Sequence, residues 1–277
     1  MFGIVVKSIK DLFTIKHLDK IYVCKTKGTL KNKKIIPIVG DTVVFNEEDQ
    51  IINKVLARKN MLIRPLISNV DNAIIVVSVK EPSFSSHLLD KTLIIAEYNK
   101  VNPIIYFSKI DLLSFREKLV IKKYIKYYKK IGYQLFTNRN YQKLKRVFAN
   151  KTTVITGQSG VGKSTLLNKL DKNLSLKTDV VSVALGRGKN TTRHVQLYDL
   201  FGGLVADSPG FSALDFIDIS KEAIRDNMIE FRKYKDGCKY QNCLHLKEKD
   251  CKVKEMVKKG IILSSRYENY KNFIETK

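Results

Sequence analysis

The sequence predicts an α/β fold: a largely parallel sheet with covering helices, preceded by a small β-barrel and followed by a helical metal-binding segment. Three observations predict it. Short β-type runs fill the chain up to about residue 62, long apolar runs alternate with amphipathic stretches from about residue 66, and three cysteines crowd around one histidine near the C-terminus. The 277 residues leave room for two or three units with their own cores, and 44% hydrophobic with 28% charged residues is the balance of a folded chain.

The runs at 3–6, 12–15, 20–25, 34–38, 41–45 and 50–55 are short and broken by turn signals, the pattern of a small barrel. Between the third and fourth lies Lys25-Thr26-Lys27-Gly28-Thr29-Leu30-Lys31-Asn32-Lys33-Lys34, read as a basic loop too polar for a core and suited to a phosphate backbone. Cys24 alternates with Ile21 and Val23 and reads as packing. From residue 66 the runs 73–79, 103–107 and 153–155 are continuously apolar, as strands buried on both faces are, and the stretches 86–100 and 114–131 read as helices. Beyond residue 222 the chain reads as helical around the Cys/His cluster. Ser265 with Glu268 offers a capping box for a last helix carrying Tyr267, Tyr270 and Ile274. The expected divisions are 1–65, 66–222 and 223–277.

Lys and Arg number 51 against 27 Asp and Glu, giving a net charge of +24 and a pI near 9.8. Such a chain seeks polyanions, although lysines scattered through every segment account for part of the excess. No stretch joins a basic face to the Trp or Leu anchors of an interfacial helix, and no run approaches the roughly 20 apolar residues of a membrane span. Charge interrupts Met1-Phe2-Gly3-Ile4-Val5-Val6-Lys7 too early for a signal peptide. A cytoplasmic monomer without a membrane partner is expected.

Gly157-Gln158-Ser159-Gly160-Val161-Gly162-Lys163-Ser164 fits G-x-x-x-x-G-K-[ST] between a strand-like run and a helical 164–170. Glycines let backbone N–H groups close on phosphate oxygens, Lys163 reaches the β- and γ-phosphates, Ser164 holds Mg²⁺, and Thr165 lies in the helical first turn. Downstream, Asp207-Ser208-Pro209-Gly210 follows the run 203–206, where an Asp at a strand end assists Mg²⁺ and the Gly210 N–H senses a γ-phosphate; by itself it is also an ordinary turn. Between them, Gly186-Arg187-Gly188-Lys189-Asn190-Thr191-Thr192-Arg193 supplies a glycine-containing basic loop and two threonines, Thr191 and Thr192, of which one is expected to meet Mg²⁺.

Guanine differs from adenine by its N1–H and N2 amino donors, so a fixed carboxylate that accepts both is an economical reader. Asp111 in Ser108-Lys109-Ile110-Asp111, at the end of the run 104–107, is the candidate, with the stem of Lys109 along the base. Thr137-Asn138 after the run 133–136 is the candidate second base-side loop. The order of parts is base box, base-side loop, phosphate loop, switch and D-x-x-G, which builds the usual site only when the sheet is entered at a different strand. The sequence therefore predicts a circularly permuted P-loop GTPase domain that takes GTP and GDP.

Cys238-x4-Cys243-x-His245-x5-Cys251 supplies three thiolates and an imidazole, a set suited to one closed, tetrahedral, structural Zn²⁺ with no position for water.

In the phosphate loop, the Gly186–Arg193 segment, Asp207-Ser208-Pro209-Gly210-Phe211 and the Cys/His cluster, the chain resembles the RsgA (YjeQ or YloQ) family over nearly its whole length. That resemblance implies an N-terminal OB-fold, a permuted GTPase domain and a C-terminal zinc domain. It further implies action in maturation of the 30S ribosomal subunit on 16S rRNA, slow GTP hydrolysis stimulated by that subunit, and release on hydrolysis. The chain departs from the family pattern at two positions. Ser108 stands where an Asn usually braces the loop, which bears on affinity for guanine rather than its identity, and Asn190 stands where a His associated with hydrolysis is common. Phe211 follows the family in placing an apolar residue where Ras-like enzymes use a water-orienting Gln, so slow basal turnover is expected. Two rivals remain at this level: a P-loop ATPase, and an RNA-binding module with a degenerate nucleotide site.

Overall fold

The structure, a computed structural model, describes residues 1–63, 65–171, 195–207, 216 and 219–277. The N-terminal strands β1 (Phe2–Ile9), β2 (Leu12–His17), β3 (Lys20–Thr26), β4 (Thr42–Asn46) and β5 (Ile51–Val55) close in the order β1-β2-β3-β5-β4. Every pair is antiparallel except β3 with β5. Alternation places Val5, Phe13, Ile15, Cys24, Val43, Phe45 and Ile52 inside, which confirms Cys24 as packing.

The connection between β3 and β4 corrects the sequence reading. Residues 34–38 form no strand, and the basic segment before them contains the short helix Gly28–Asn32. Leu30 is the reason: it is the one large apolar side chain in that stretch, and it is buried in the barrel core while its lysine neighbours stay in water.

A buried carboxylate fastens the barrel to the next segment of the chain. Asp41 is fully buried and accepts from Ile38 N (2.8 Å), Arg58 Nε (2.7 Å), Arg58 Nη2 (2.8 Å) and Ser68 Oγ (2.6 Å). Arg58 precedes and Ser68 ends the hairpin of β6 (Met61–Ile63) and β7 (Leu66–Ser68), which the sequence reading did not anticipate.

The central sheet has the order β10-β9-β8-β11-β13-β12, built from β8 (Asn72–Ser78), β9 (Asn102–Ser108), β10 (Gln134–Thr137), β11 (Thr152–Thr156), β12 (Tyr198–Leu200) and β13 (Gly203–Asp207). All pairs are parallel except β12 with β13. The apolar runs are central strands, and β8 and β11 are buried at nearly every position. From β8 the chain proceeds outward to β9 and β10, then returns to β11 on the other side of β8. That reversal opens a crevice at the carboxyl ends of β8 and β11, where α/β sheets bind ligands.

Two helices cover one face. Ser86–Tyr98 starts at the N-cap Ser85, and Phe115–Lys130 starts at Ser114, whose hydroxyl accepts from Glu117 N while Glu117 accepts from Ser114 N, a complete capping box. The last helix, Ser264–Glu275, corrects a second expectation. Its N-cap is Leu263, and the Ser265 hydroxyl is buried without a hydrogen-bond partner among the described residues. Leu263 packs against the core beneath β8 and β9, so an apolar anchor rather than a polar cap sets the helix entry.

That last helix is tied to the sheet-covering helices by a buried ionic cluster. Arg266, fully buried, donates through Nη1 to Asp90 (2.5 Å) and through Nε and Nη2 to Glu230. Asp90 also accepts from Tyr128 Oη at 2.5 Å and from Asn269 Nδ2 at 2.6 Å, so its carboxylate is met twice from the last helix and once from helix Phe115–Lys130. Removing one member of such a cluster strands the others without water. Arg266→Met is expected to lower unfolding free energy by about 3–5 kcal/mol in urea titrations, and a loss below about 1 kcal/mol would mean that the cluster does not hold the C-terminal helices in place.

Candidate functional site

The phosphate loop leaves β11 at Thr156 and enters helix Lys163–Leu170 at Gly162. Gly157 (φ 148°), Gly160 (φ 76°) and Gly162 (φ 93°) have backbone angles that side chains resist. At Gly157 a Cβ would also collide with the Val76 carbonyl of β8, so this glycine sets the approach of the loop to the central strand. Lys163 Nζ donates to the carbonyls of Gly157 and Gln158, both at 2.8 Å. Val161 is buried beneath the loop, Ser164 is half-buried, and Gln158, Ser159, Gly160 and Thr165 are exposed.

The base box leaves β9 on the other side of β8. Ser108 is buried and donates from Oγ to the carbonyl of Val161 at 2.6 Å, joining the base loop to the phosphate loop. The short hydroxyl thus makes one direct brace in this position. Lys109 adopts a left-handed backbone (φ 58°) that turns the chain out of β9, and its ammonium donates to the Glu81 carbonyl. Asp111 lies exposed in the single turn Ile110–Leu112. Its Oδ1 accepts from Asn138 Nδ2 at 2.6 Å, so the residue expected at the second base-side loop meets the carboxylate of the first. Asn140 holds that second loop by accepting from Thr137 N at 2.7 Å. The Asn138 Oδ1 is buried and has no hydrogen-bond partner among the described residues. Burial pushes the Tyr106 hydroxyl of β9 up to about 12, with Tyr141 and Asp111 adding to it.

Sequence reasoning missed a third wall. Residues 80–85, between β8 and helix Ser86–Tyr98, supply the Glu81 carbonyl to Lys109 and set Pro82 about 4.0 Å from where a Gly160 Cβ would stand. A strand end followed by Lys-Glu-Pro-Ser carries no sequence signal beyond a turn. On the far side, the backbone of Asp207 pairs with Ile155 of β11 at the end of β13. The remaining expected switch residues, Gly186 to Arg193 with Thr191 and Thr192, and Ser208, Pro209, Gly210 and Phe211, lie outside the described residues.

The Cys/His cluster gathers as expected. The ligand atoms of Cys238, Cys243, His245 and Cys251 lie within 4.8 Å of one another, with His245 Nδ1 3.3 Å from Cys251 Sγ and 3.6 Å from Cys238 Sγ. The surrounding hydrogen bonds fix this arrangement. Tyr267 and Tyr270 donate to the carbonyls of His245 and Leu244, each at 2.6 Å, and Glu248 accepts from Leu244 N (2.6 Å) and Leu246 N (2.7 Å). Burial holds His245 down at about 4, hence neutral, and pushes the Cys243 thiol up to about 12. Three sulfurs and a neutral imidazole with its Nδ1 facing them fit a four-coordinate soft-metal site.

The Ser108 brace is separable from the rest. Ser108→Ala leaves the Val161 carbonyl without its hydroxyl donor and is expected to cost about 1–3 kcal/mol of unfolding free energy by urea titration. Wild-type stability would show that the two loops are not held together by this bond.

Comparisons with known proteins agree with this arrangement. The sequence model described as RsgA GTPase matches residues 55–217, and that described as RsgA N-terminal domain matches residues 2–52. Proteins named small ribosomal subunit biogenesis GTPase RsgA from Bacillus cereus and Halalkalibacterium halodurans are 43% and 42% identical to the chain, covering 99% of it and 96% of each relative. Among solved structures, YloQ, described as a circularly permuted GTPase, is 35% identical with a TM-score of 0.84, covering 99% of this chain and 94% of that one. YjeQ from Thermotoga maritima is 34% identical with a TM-score of 0.86, covering 99% and 97%. The chain belongs to the RsgA family of circularly permuted GTPases.

Proposed function

We propose that this chain is a GTPase of small ribosomal subunit biogenesis, hydrolysing GTP to GDP and phosphate on the 30S subunit and leaving it on hydrolysis. The observation that carries the reading is the junction at β8: a base loop bearing Asp111 and a phosphate loop bearing Lys163 stand on opposite sides of that strand's end, bridged by Ser108. A nucleotide laid across the bridge has its base on one side and its phosphates on the other.

Each residue has a part in this reading. Asp111 accepts from N1–H and the N2 amino group of guanine, Lys109 covers the base, and Asn138 orients the Asp111 carboxylate. The amides from Gly157 to Thr165 receive the phosphates at the start of helix Lys163–Leu170. Lys163 exchanges the Gly157 and Gln158 carbonyls for β- and γ-phosphate oxygens, so its positive charge moves onto the phosphates from a position already inside the loop. Ser164, Asp207 and one of Thr191 and Thr192 would hold Mg²⁺, which supplies charge neutralisation on the β- and γ-oxygens. Gly210 reports the γ-phosphate. With Phe211 in place of a glutamine and Asn190 in place of a histidine, neither of these two positions carries a strong water-orienting group, and the subunit is proposed to complete the switch.

The flanking units are proposed to serve the partner. Residues 1–65 form the OB-fold unit and 223–277 the zinc unit, both applied to 16S rRNA, around the GTPase unit 66–222. Cys238, Cys243, His245 and Cys251 would hold one Zn²⁺, whose contribution is a cross-link of a short loop-rich segment. Among the described residues no helix is long and apolar enough to cross a membrane. A cytoplasmic monomer is the proposed working form.

Two measurements check this. GTP hydrolysis is expected to be slow alone and to rise at least about tenfold with purified 30S subunits while ATP hydrolysis stays at background; a flat response, or equal use of ATP, would refute the assignment. Elemental analysis after denaturing chelation is expected to release about one zinc per chain, falling to near zero in Cys243→Ser, and a wild type without zinc would reject the metal site.

A further inference from the structure

We propose that the GTPase core has an RNA-contacting surface of its own, wrapped around the free edge strand β10, in addition to those of the flanking units. This rests on the small-subunit reading above for its choice of RNA. Strand β10 is the outer strand of the sheet, entered from helix Phe115–Lys130 on one face and left through residues 141–148 on the other. Seven of the sixteen residues of that helix are Lys or Arg, against 51 of 277 in the chain, so the helix is far richer in cations than a uniformly lysine-rich composition gives. Helix Ser86–Tyr98, beside it on the same face, carries one lysine and two acids in thirteen residues.

The cations are arranged as well as numerous. Lys118, Lys122, Lys126 and Lys129 recur at helical spacing, so they form one exposed ridge with about 6 Å between successive members of the four-residue steps. Arg116, Lys123 and Lys130 form a second exposed row beside it. The helix's only acid, Glu117, is committed to capping Ser114 and lies 3.8 Å from Lys80. None of the seven cations has a carboxylate within 4.0 Å among the described residues, although fourteen of the fifteen ion pairs found among those residues form away from this helix. Like charges in two parallel rows without counter-charges repel, and an external polyanion relieves that repulsion by displacing small counterions.

The surface continues past the edge strand. Beyond Lys130 the chain turns into β10, and on the sheet's other face an open cleft of about 450 Å³ is lined by Gln134, Phe136, Lys143, Arg146 and Lys151 with Asn72. Lys143 and Arg146 also lack carboxylate partners among the described residues, while Lys151 reaches Asp71 only at 3.8 Å. A strip of cations that passes from a helix ridge around a sheet edge into an open cleft with amide donors fits a curved phosphate backbone. The cleft lies at the amino-terminal ends of the strands, opposite the nucleotide, so the surface can be occupied while GTP is bound.

The test uses the full-length protein, with K122Q/K126Q/K129Q/K130Q compared with the all-arginine version K122R/K126R/K129R/K130R. Binding to purified 30S subunits and to a fluorescent RNA duplex is titrated against KCl, alongside mant-GTP affinity and basal GTP hydrolysis. The glutamine variant is expected to lose about 10- to 100-fold in affinity for both RNAs near ~0.2 M salt and to flatten the log–log salt slope by about 2–4, each phosphate contact contributing about 0.7–0.9. The arginine version retains binding, and the nucleotide measurements stay unchanged in both. Unaltered affinity and slope for both RNAs would overturn the proposal. A loss seen with poly-glutamate but not with RNA would also overturn it, giving the face to an acidic protein. If wild type binds the duplex and the glutamine variant does not, while neither binds 30S subunits, the surface stands and the small-subunit reading falls.

Discussion

Strand β8 is the constraint on which the rest of the structure depends. It is buried at almost every position, pairs in parallel with β9 on one side and β11 on the other, and stands where the chain reverses its direction of travel across the sheet. The two loops that leave its neighbours, at Ser108 and Gly157, therefore emerge side by side although about fifty residues separate them in sequence. The close approach of Gly157 to the Val76 carbonyl and the hydrogen bond from Ser108 to Val161 are both consequences of that adjacency. A permuted chain can build such a site because the sheet fixes which strand ends are neighbours, and sequence order does not enter.

Around this centre, buried polar clusters join the three regions. Asp41 receives Arg58 and Ser68 and secures the barrel, and Arg266 with Asp90 and Glu230 secures the C-terminal helices. Buried charges make costly but discriminating joints, since any displacement leaves a carboxylate or guanidinium without water or partner. The barrel also bonds to the sheet side directly, where Leu197 N donates to the Val6 carbonyl at 2.8 Å and Lys16 pairs with Asp199. Residue 197 lies a few positions after the Gly186–Arg193 segment, so the barrel is anchored close in sequence to the proposed switch.

Much of this was legible in the sequence because the signals were local and periodic. Continuous apolar runs gave β8, β9 and β11, Ser114 with Glu117 gave a helix start, and the Cys/His spacing gave a cluster whose atoms do converge. What was not legible depends on partners distant in sequence. Leu30 reads as part of a polar loop until a barrel interior is available to receive it, and Ser265 reads as a cap until Leu263 finds its apolar contact. The Arg266 cluster joins positions 36 and 176 residues apart, and no spacing rule links them. Ser108 is the instructive case. From the sequence it looked like a weakened brace, and the structure places its one hydroxyl where a single hydrogen bond spans both loops.

In the proposed function, selection of guanine is assigned to Asp111 as the reader of the base. Guanine offers donors at N1 and N2, whereas xanthine replaces the N2 amino group with an acceptor oxygen, so an amide in place of the carboxylate matches xanthine and mismatches guanine. The most direct test is titration of mant-GTP and mant-XTP against wild type and Asp111→Asn. Wild type is expected to prefer GTP by at least about tenfold and Asp111→Asn to reverse that preference with phosphate-loop binding intact. Retention of the GTP preference by Asp111→Asn would contradict the assignment of Asp111 and the nucleotide reading built on it.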